Sequence, residues 1–340
     1  MTFTTPPALE RGDTVGLVAP SSPIGSDRVE RLRTRLDRSF DLDLRVFESV
    51  ERGDETGTPA ERADELARAY RDEAVDAVLA ATGGNDQIRL LKHLDDRLDA
   101  ETAASKRFYG YSDNDNVRLW LWNRGIVSFG STAHPDLVVG DELHPYTERT
   151  LSRALFEDSL GEVEPPVAWT DEWYDFESAG DGRDWRDADP WRWEGDRTVS
   201  GPIWGGCLSI VEWQLMADRW LPEPDRLDGA VLALEPAETM PVPRRFRYLL
   251  RSLGERGWLG RFEGVLVGRP RGGTPTVDRE TEYVSYRDAI REAVRAPLSA
   301  YNPQATVAFE VDFGHTEPRF PLPLGATATM EPEAGRLRFD

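Results

Sequence analysis

Ser112 lies in the run Phe108-Tyr-Gly-Tyr-Ser-Asp-Asn-Asp115, where an extended stretch gives way to a helical one. A serine on a sharp strand-to-helix turn holds its hydroxyl clear of the backbone, close to helix N-terminal amides that can stabilise an oxyanion. The same position also suits a helix N-cap, so the serine alone leaves both readings open. Glu235 closes the apolar run Val231-Leu-Ala-Leu234. A carboxylate at the end of a buried run needs a donor, since burying it unpaired costs several kcal/mol by rough estimate. An imidazole N–H would serve, and so would Arg244 or Arg245. His315, in Phe313-Gly-His-Thr-Glu-Pro318, follows a strand and a glycine, a turn that can aim an imidazole at a hydroxyl. The remaining histidines offer less: His93 sits in a helix beside Lys92, and His134 and His144 share a Pro- and Asp-rich loop without metal-ligand spacing. A serine, a histidine and a carboxylate at three strand ends are the parts of a nucleophile, its base and the group that orients the base. Cys207 is a second candidate nucleophile, because a thiol near a helix N-terminus has a lowered pKa; a small buried helix-entry residue is its plainer role.

These residues must be carried by regular elements, and the first half of the chain reads as alternating strand and helix. Thr14-Val-Gly-Leu-Val-Ala19 is a short buried strand, and residues 27–39 form an Arg-rich amphipathic helix with Val29, Leu32 and Leu36 on one face. Residues 44–50 are extended. Thr58, Pro59 and Glu61 open a further helix, with Thr58 as N-cap and proline at the first helical position. Ala77-Val-Leu-Ala-Ala-Thr82 is a buried strand running into Gly83-Gly84-Asn85 and a helix over 86–94. A strand over 107–111, a helix over 114–124 and a strand over 126–129 complete the series. Such alternation predicts a parallel sheet flanked by helices, with ligands at the carboxyl ends of the strands, where Gly83, Gly84 and Ser112 fall. In the second half, Gly201 to Cys207 reads as a glycine-rich entry to a helix over 208–217. Strands are expected over 229–235, 264–268 and 306–311, helices over 243–256 and 283–296, and a closing hairpin from Ala326-Thr-Ala-Thr-Met330 and Arg336-Leu-Arg-Phe339.

Between the halves, residues 165–199 carry five of the eleven tryptophans amid many acidic residues. That many indoles must either pack on the domains or line a binding surface.

Charge narrows the partners. Acidic residues number 62 against 41 basic ones, a formal charge of -21, and the only lysines are Lys92 and Lys106. Such a surface repels nucleic-acid phosphate and anionic lipid, so neither is expected as a partner. The acid-rich, lysine-poor balance points to a halophilic cytoplasm, where salt screens self-repulsion. No stretch reaches the 18 or so apolar residues of a membrane helix, and the start of the chain lacks a basic and apolar signal, so a soluble cytoplasmic protein is expected. One cysteine excludes an internal disulfide and a thiolate-rich zinc site.

Taken together, Gly83-Gly84 after a strand, Gly110-Tyr-Ser-Asp113, the Leu-Glu strand end at Glu235 and Phe313-Gly-His-Thr-Glu-Pro318 resemble the LD-carboxypeptidase (S66) family of serine peptidases, in the family's order and over nearly the whole chain. The Trp169-Thr-Asp-Glu-Trp173 segment is most similar to the microcin C immunity hydrolase branch, with the murein-cutting branch as its rival. The resemblance implies an α/β fold: an N-terminal parallel-sheet domain (flavodoxin / class I amidotransferase-like, 1–160) carrying the nucleophile, a Trp-rich linker (161–200) and a C-terminal β-rich α/β domain (201–340). It implies Ser112, Glu235 and His315 as the triad, backbone N–H groups of Gly83, Gly84 and Asp113 as oxyanion donors, and Trp169, Trp173 and Trp185 as substrate contacts. No metal or organic cofactor is expected, the substrate would be a small peptide or a peptidyl- or aminoacyl-nucleotide, and the family tends to form homodimers. A non-catalytic nucleotide- or peptide-binding protein is the alternative of another class. Two departures bear on substrate preference: Cys207 stands in place of a family asparagine, and Gly130-Ser-Thr-Ala-His134 replaces a Gly-Pro pair.

Overall fold

The structure, a computed structural model, describes residues 2–52, 56–176, 182–238, 240–272 and 279–340. Along the chain the strands are β1 (Thr14–Val18), β2 (Asp43–Val46), β3 (Ala77–Ala80), β4 (Arg107–Tyr109), β5 (Ser128–Phe129), β6 (Gly161–Val163), β7 (Ala168–Trp169) and β8 (Arg186–Asp187). They continue as β9 (Arg192–Glu194), β10 (Val199–Cys207), β11 (Val231–Glu235), β12 (Gly264–Gly268), β13 (Thr306–Val311), β14 (Pro323–Leu324), β15 (Thr327–Glu331) and β16 (Arg336–Phe339). The chain divides into two compact units, one of residues 1–160, 174–182 and 320–325, the other of 161–173, 183–319 and 326–340.

In the first unit, strands β5-β4-β3-β1-β2 form a parallel sheet, with β14 added antiparallel to β5. Every residue of β3 and β4 is buried, as a sheet covered on both faces requires. Helices Ser26–Arg35, Pro59–Arg71, Ile88–Leu94 and Asp115–Trp122 provide the cover between strands. The helix after Thr58 starts as its sequence predicts: the Thr58 hydroxyl accepts from the Glu61 N–H (3.3 Å), and the Glu61 carboxylate accepts from the Thr58 N–H (2.8 Å).

In the second unit, β10-β11-β12-β13 run parallel. Antiparallel strands extend both edges to give the order β6-β16-β15-β10-β11-β12-β13-β9. The closing hairpin is β15 with β16, as its alternation indicates. Residues 201–207, read as a loop entering a helix, are instead part of the nine-residue strand β10. The glycines there are a packing device: a Cβ on Gly205 would overlap the carbonyl of Ala233 in neighbouring β11. A second departure is the helix Pro145–Phe156, where a loop around His144 was expected. His144 is its N-cap, its Nδ1 accepting from the Tyr146 N–H at 3.2 Å, and Pro145 opens the helix.

Candidate active site

The expected residues fall into two clusters, one in each unit. In the first unit β4 ends at Tyr109, and the chain turns through Gly110 and extended Tyr111 into Ser112, whose φ of 64° is left-handed. A non-glycine residue there costs about 1–3 kcal/mol and persists only where its surroundings hold it. This is the strained strand-to-helix elbow that projects a side chain, and Ser112 is half-buried rather than sealed. The cap reading is corrected: a 3-10 turn, Ser112–Asn114, intervenes, and the residue before the helix Asp115–Trp122 is Asn114.

What holds the elbow is a network the sequence did not disclose. The buried Asp113 carboxylate accepts from the Ser21 hydroxyl (2.5 Å) and from the backbone N–H groups of Asp86 (3.1 Å) and Gln87 (3.0 Å). Burial pushes its pKa up, opposed by these donors. Gln87 donates to the Asn114 side chain at 2.7 Å, and Asn114 in turn donates to the carbonyls of Thr82 and Tyr111. The loop after β3 is thereby tied to the elbow after β4. Gly83 permits the approach, since a Cβ on it would stand 3.0 Å from Ser112 Cβ, 3.1 Å from Ser112 Oγ and 3.6 Å from the Asp113 nitrogen. A Cβ on Gly84 would meet Ser22 Oγ at 2.8 Å and Asp113 Oδ2 at 3.3 Å. Gly83 thus lies against the serine and the Asp113 nitrogen, while Gly84 lies against Ser21, Ser22 and the Asp113 carboxylate.

In the second unit Glu235 ends β11 with a fully buried side chain, and its Oε2 accepts from the Ala237 N–H (2.9 Å) and from His315 Nδ1 (2.8 Å). Its donor is therefore the imidazole, while Arg245 pairs with Glu212. Room for the carboxylate comes from two missing side chains. A Cβ on Gly268 would lie 2.6 Å from Glu235 Cβ, and one on Gly314 would lie 3.1 Å from Glu235 Oε2. The loop carrying His315 is pinned by buried Arg269, whose Nε donates to Asp312 at 2.6 Å, by Trp191 donating to the same carboxylate at 2.8 Å, and by Arg319 donating to the Gly314 carbonyl at 3.0 Å. Gly268→Ala is expected to displace Glu235, costing about 1–3 kcal/mol in urea unfolding together with a loss of kcat; wild-type values for both would show that the space is not needed.

The second ring nitrogen of His315 is also engaged, with Nε2 lying 2.9 Å from Oε2 of Glu238, a contact sequence reading missed. Burial alone would lower the imidazole pKa, but the Glu235 charge and hydrogen bond, followed by those of Glu238, outweigh it and raise the value to about 9. The hydrogen bond from His315 correspondingly lowers Glu238, against the effect of its burial.

Of the three expected tryptophans, Trp169 is inside, 3% exposed, with the guanidinium groups of Arg269 and Arg186 at 5.1 and 5.4 Å from its ring centre. Trp173 is 59% exposed and backed by Arg271 at 4.1 Å. Trp185 is half-buried with Arg183 at 5.4 Å. Cys207 is buried at the entry to the helix Leu208–Ala217, 3.3 Å from the Ser209 hydroxyl, and stands beside Glu235 in the β10–β11 register.

An elbow serine in one unit and a carboxylate-bound histidine in the other are residue types that a serine hydrolase uses. Residues 15–131 match the LD-carboxypeptidase N-terminal domain and residues 200–330 the LD-carboxypeptidase C-terminal domain, and the chain belongs to that family. A Streptomyces coelicolor protein that carries a carboxypeptidase name is 29% identical, over 98% of this chain and 96% of its own. A Bacillus subtilis protein named as a probable murein peptide carboxypeptidase is 27% identical, over 96% and 91%. Among solved structures, an MccF-like protein from Streptococcus pneumoniae in complex with AMP superposes with a TM-score of 0.82 at 25% identity, covering 97% of this chain and 99% of that one. The microcin C7 self immunity protein MccF in complex with aspartyl sulfamoyl adenosine shares the fold, with a TM-score of 0.81 at 20% identity over 100% and 98%.

Proposed function

We propose that the protein is a serine carboxypeptidase in which Ser112, His315 and Glu235 act as nucleophile, base and orienting carboxylate, and that it cleaves an acyl bond in a peptidyl- or aminoacyl-nucleotide. The observation that carries this reading is the left-handed Ser112 just after β4, a strained position of the kind that collects at functional sites. Ser112 Oγ attacks the acyl carbon as its proton passes to His315 Nε2. The tetrahedral oxyanion is held by the N–H groups of Asp113 and of Gly83 or Gly84, each worth about 2.7–4 kcal/mol. Collapse expels the leaving group, which receives the proton from His315, and water releases the acyl group by the same steps. Glu235 keeps Nδ1–H directed away, so that the working nitrogen is Nε2.

The nucleotide preference is supported by the exposed Trp173 ring on its Arg271 support, a surface suited to stacking a base, with Trp185 beside Arg183 as a second indole and Trp169 as buried backing. It is supported also by the neighbour solved with AMP. A murein peptide carboxypeptidase is the second reading, favoured by the Bacillus subtilis relative. We assign the setting to a salt-rich cytoplasm on the charge of -21. Incubation at high salt with an aminoacyl sulfamoyl adenosine, a peptidyl nucleotide and an L,D-linked murein peptide separates the readings: release of the nucleotide portion is expected, and cleavage of the murein peptide alone would transfer the enzyme to the second.

The base function also fixes a pH dependence. Only an imidazole with Nε2 unprotonated accepts the serine proton, so kcat/KM in the free enzyme is expected to fall with decreasing pH through about 9. Stability runs the other way. A histidine raised above its ordinary value of 6.5 contributes stability that is fully present below pH 6.5 and lost as pH rises through about 9. Rate profiles and thermal melts over that window check both signs; a limb near pH 6.5 would show that the two carboxylates do not act on His315.

A further inference from the structure

A catalytic histidine of this kind needs one carboxylate, at the nitrogen facing away from the nucleophile, and an open second nitrogen. His315 has a carboxylate at each: Glu235 at Nδ1 (2.8 Å) and Glu238 at Nε2 (2.9 Å). With both carboxylates accepting, both ring nitrogens carry protons, and the ring is an imidazolium with no lone pair for a serine proton. The two partners differ in character. The Glu235 side chain is 2% exposed and fixed by the Ala237 N–H, whereas the Glu238 side chain is 45% exposed. Glu238 stands on the turn after β11, between Ala237 (φ 62°) and Met240 (φ 46°), and the inner pair has its own anchor in the Ala237 N–H, separate from the Glu238 side chain.

Resting on the reading of His315 as the base, we propose that Glu238 determines specificity: its carboxylate closes Nε2 of His315 and gives it up to the primary ammonium group of an incoming substrate. A half-exposed carboxylate leaving an imidazolium is compensated best by another cationic donor, and an ammonium offers three N–H groups in exchange. A neutral substrate offers none and leaves the carboxylate on the ring. Once Glu238 is taken, the imidazolium keeps Glu235 and releases its Nε2 proton to water, which makes it a base. Among the described residues, the charged groups acting on this pair include Glu235 from the end of β11 and Arg271 from the segment after β12; Arg269 and Asp312, on the loops either side, are paired with each other.

The test compares an aminoacyl sulfamoyl adenosine, which has a free α-ammonium, with its N-acetylated form. In the wild type, kcat/KM for the amino form is expected to exceed that for the N-acetyl form by at least about tenfold. In Glu238→Gln the ratio falls to within about threefold, mainly because the N-acetyl form is cleaved faster at pH 7. An unchanged ratio, or an equal loss for both substrates, overturns the proposal. A second readout needs no turnover. In protein carrying 15N-labelled histidine, the His315 ring is expected to titrate at least about one pH unit lower in Glu238→Gln than in the wild type. In Ser112→Ala, saturation with the amino ligand lowers that titration point and the N-acetyl ligand does not. A titration point unmoved by both changes sinks the proposal even where catalysis persists. Turnover surviving in Ser112→Ala sinks the underlying reading of Ser112 as the nucleophile instead.

Discussion

Ser112→Ala is expected to reduce kcat by about 10⁴- to 10⁶-fold at saturating substrate, with the fold and substrate affinity retained. In the proposed mechanism the hydroxyl forms the covalent intermediate, and removing it leaves just the oxyanion donors and binding to assist attack by water. The elbow gives this substitution a built-in structural control. Because residue 112 has a φ of 64°, Ser112→Gly relieves a strain that Ser112→Ala keeps. The glycine variant should therefore be the more stable of the two by about 1 kcal/mol in denaturant unfolding, while both are equally inactive. An alanine variant that retains turnover places the nucleophile elsewhere, with Cys207→Ala as the immediate next variant.

Glu235→Gln is expected to cost about 10³- to 10⁴-fold in kcat, close to the effect of changing the orienting carboxylate in other triads. The amide is isosteric, and Oε2 can be replaced by an acceptor that still receives the Ala237 and His315 N–H groups. What is lost is charge: the imidazolium formed during attack then has no buried anion at 2.8 Å. Since Glu235 is also a main cause of the raised His315 pKa, the same variant should move the acidic limb of kcat/KM from about 9 toward the ordinary histidine value. A slower enzyme with an unmoved limb would mean that Glu235 acts on something other than the imidazole.

Much of this arrangement could be read from the chain because local signals and the global fold agree. The strand ending before Gly83, the turn at Ser112, the capping box at Thr58 and the closing hairpin all rest on neighbours within a few residues. Glu235 was found because a carboxylate after four buried apolar residues has few ways to be satisfied. Apart from the helix Pro145–Phe156, whose cap is local, the misses share a cause, in that each depends on a partner far along the chain. Nothing beside Gly205 indicates the Ala233 carbonyl that forbids a side chain there and makes residues 199–207 a strand. Trp169 lies against Arg269, a hundred residues away, and Asp113 draws its bonds from Ser21 and the loop at 86–87. Glu238 was one of 62 acidic residues, and only the folded turn brings it to the imidazole.

The central claim, that Ser112 is the nucleophile activated by His315, is tested most directly by covalent trapping. The protein is treated with a serine-reactive fluorophosphonate above pH 9, where His315 is unprotonated, and the adduct is located by peptide mass mapping. A single adduct on Ser112, lost in Ser112→Ala and formed at least about a hundredfold more slowly in His315→Ala, is the expected result. An adduct on Cys207, or no adduct from protein that turns over substrate, would contradict it.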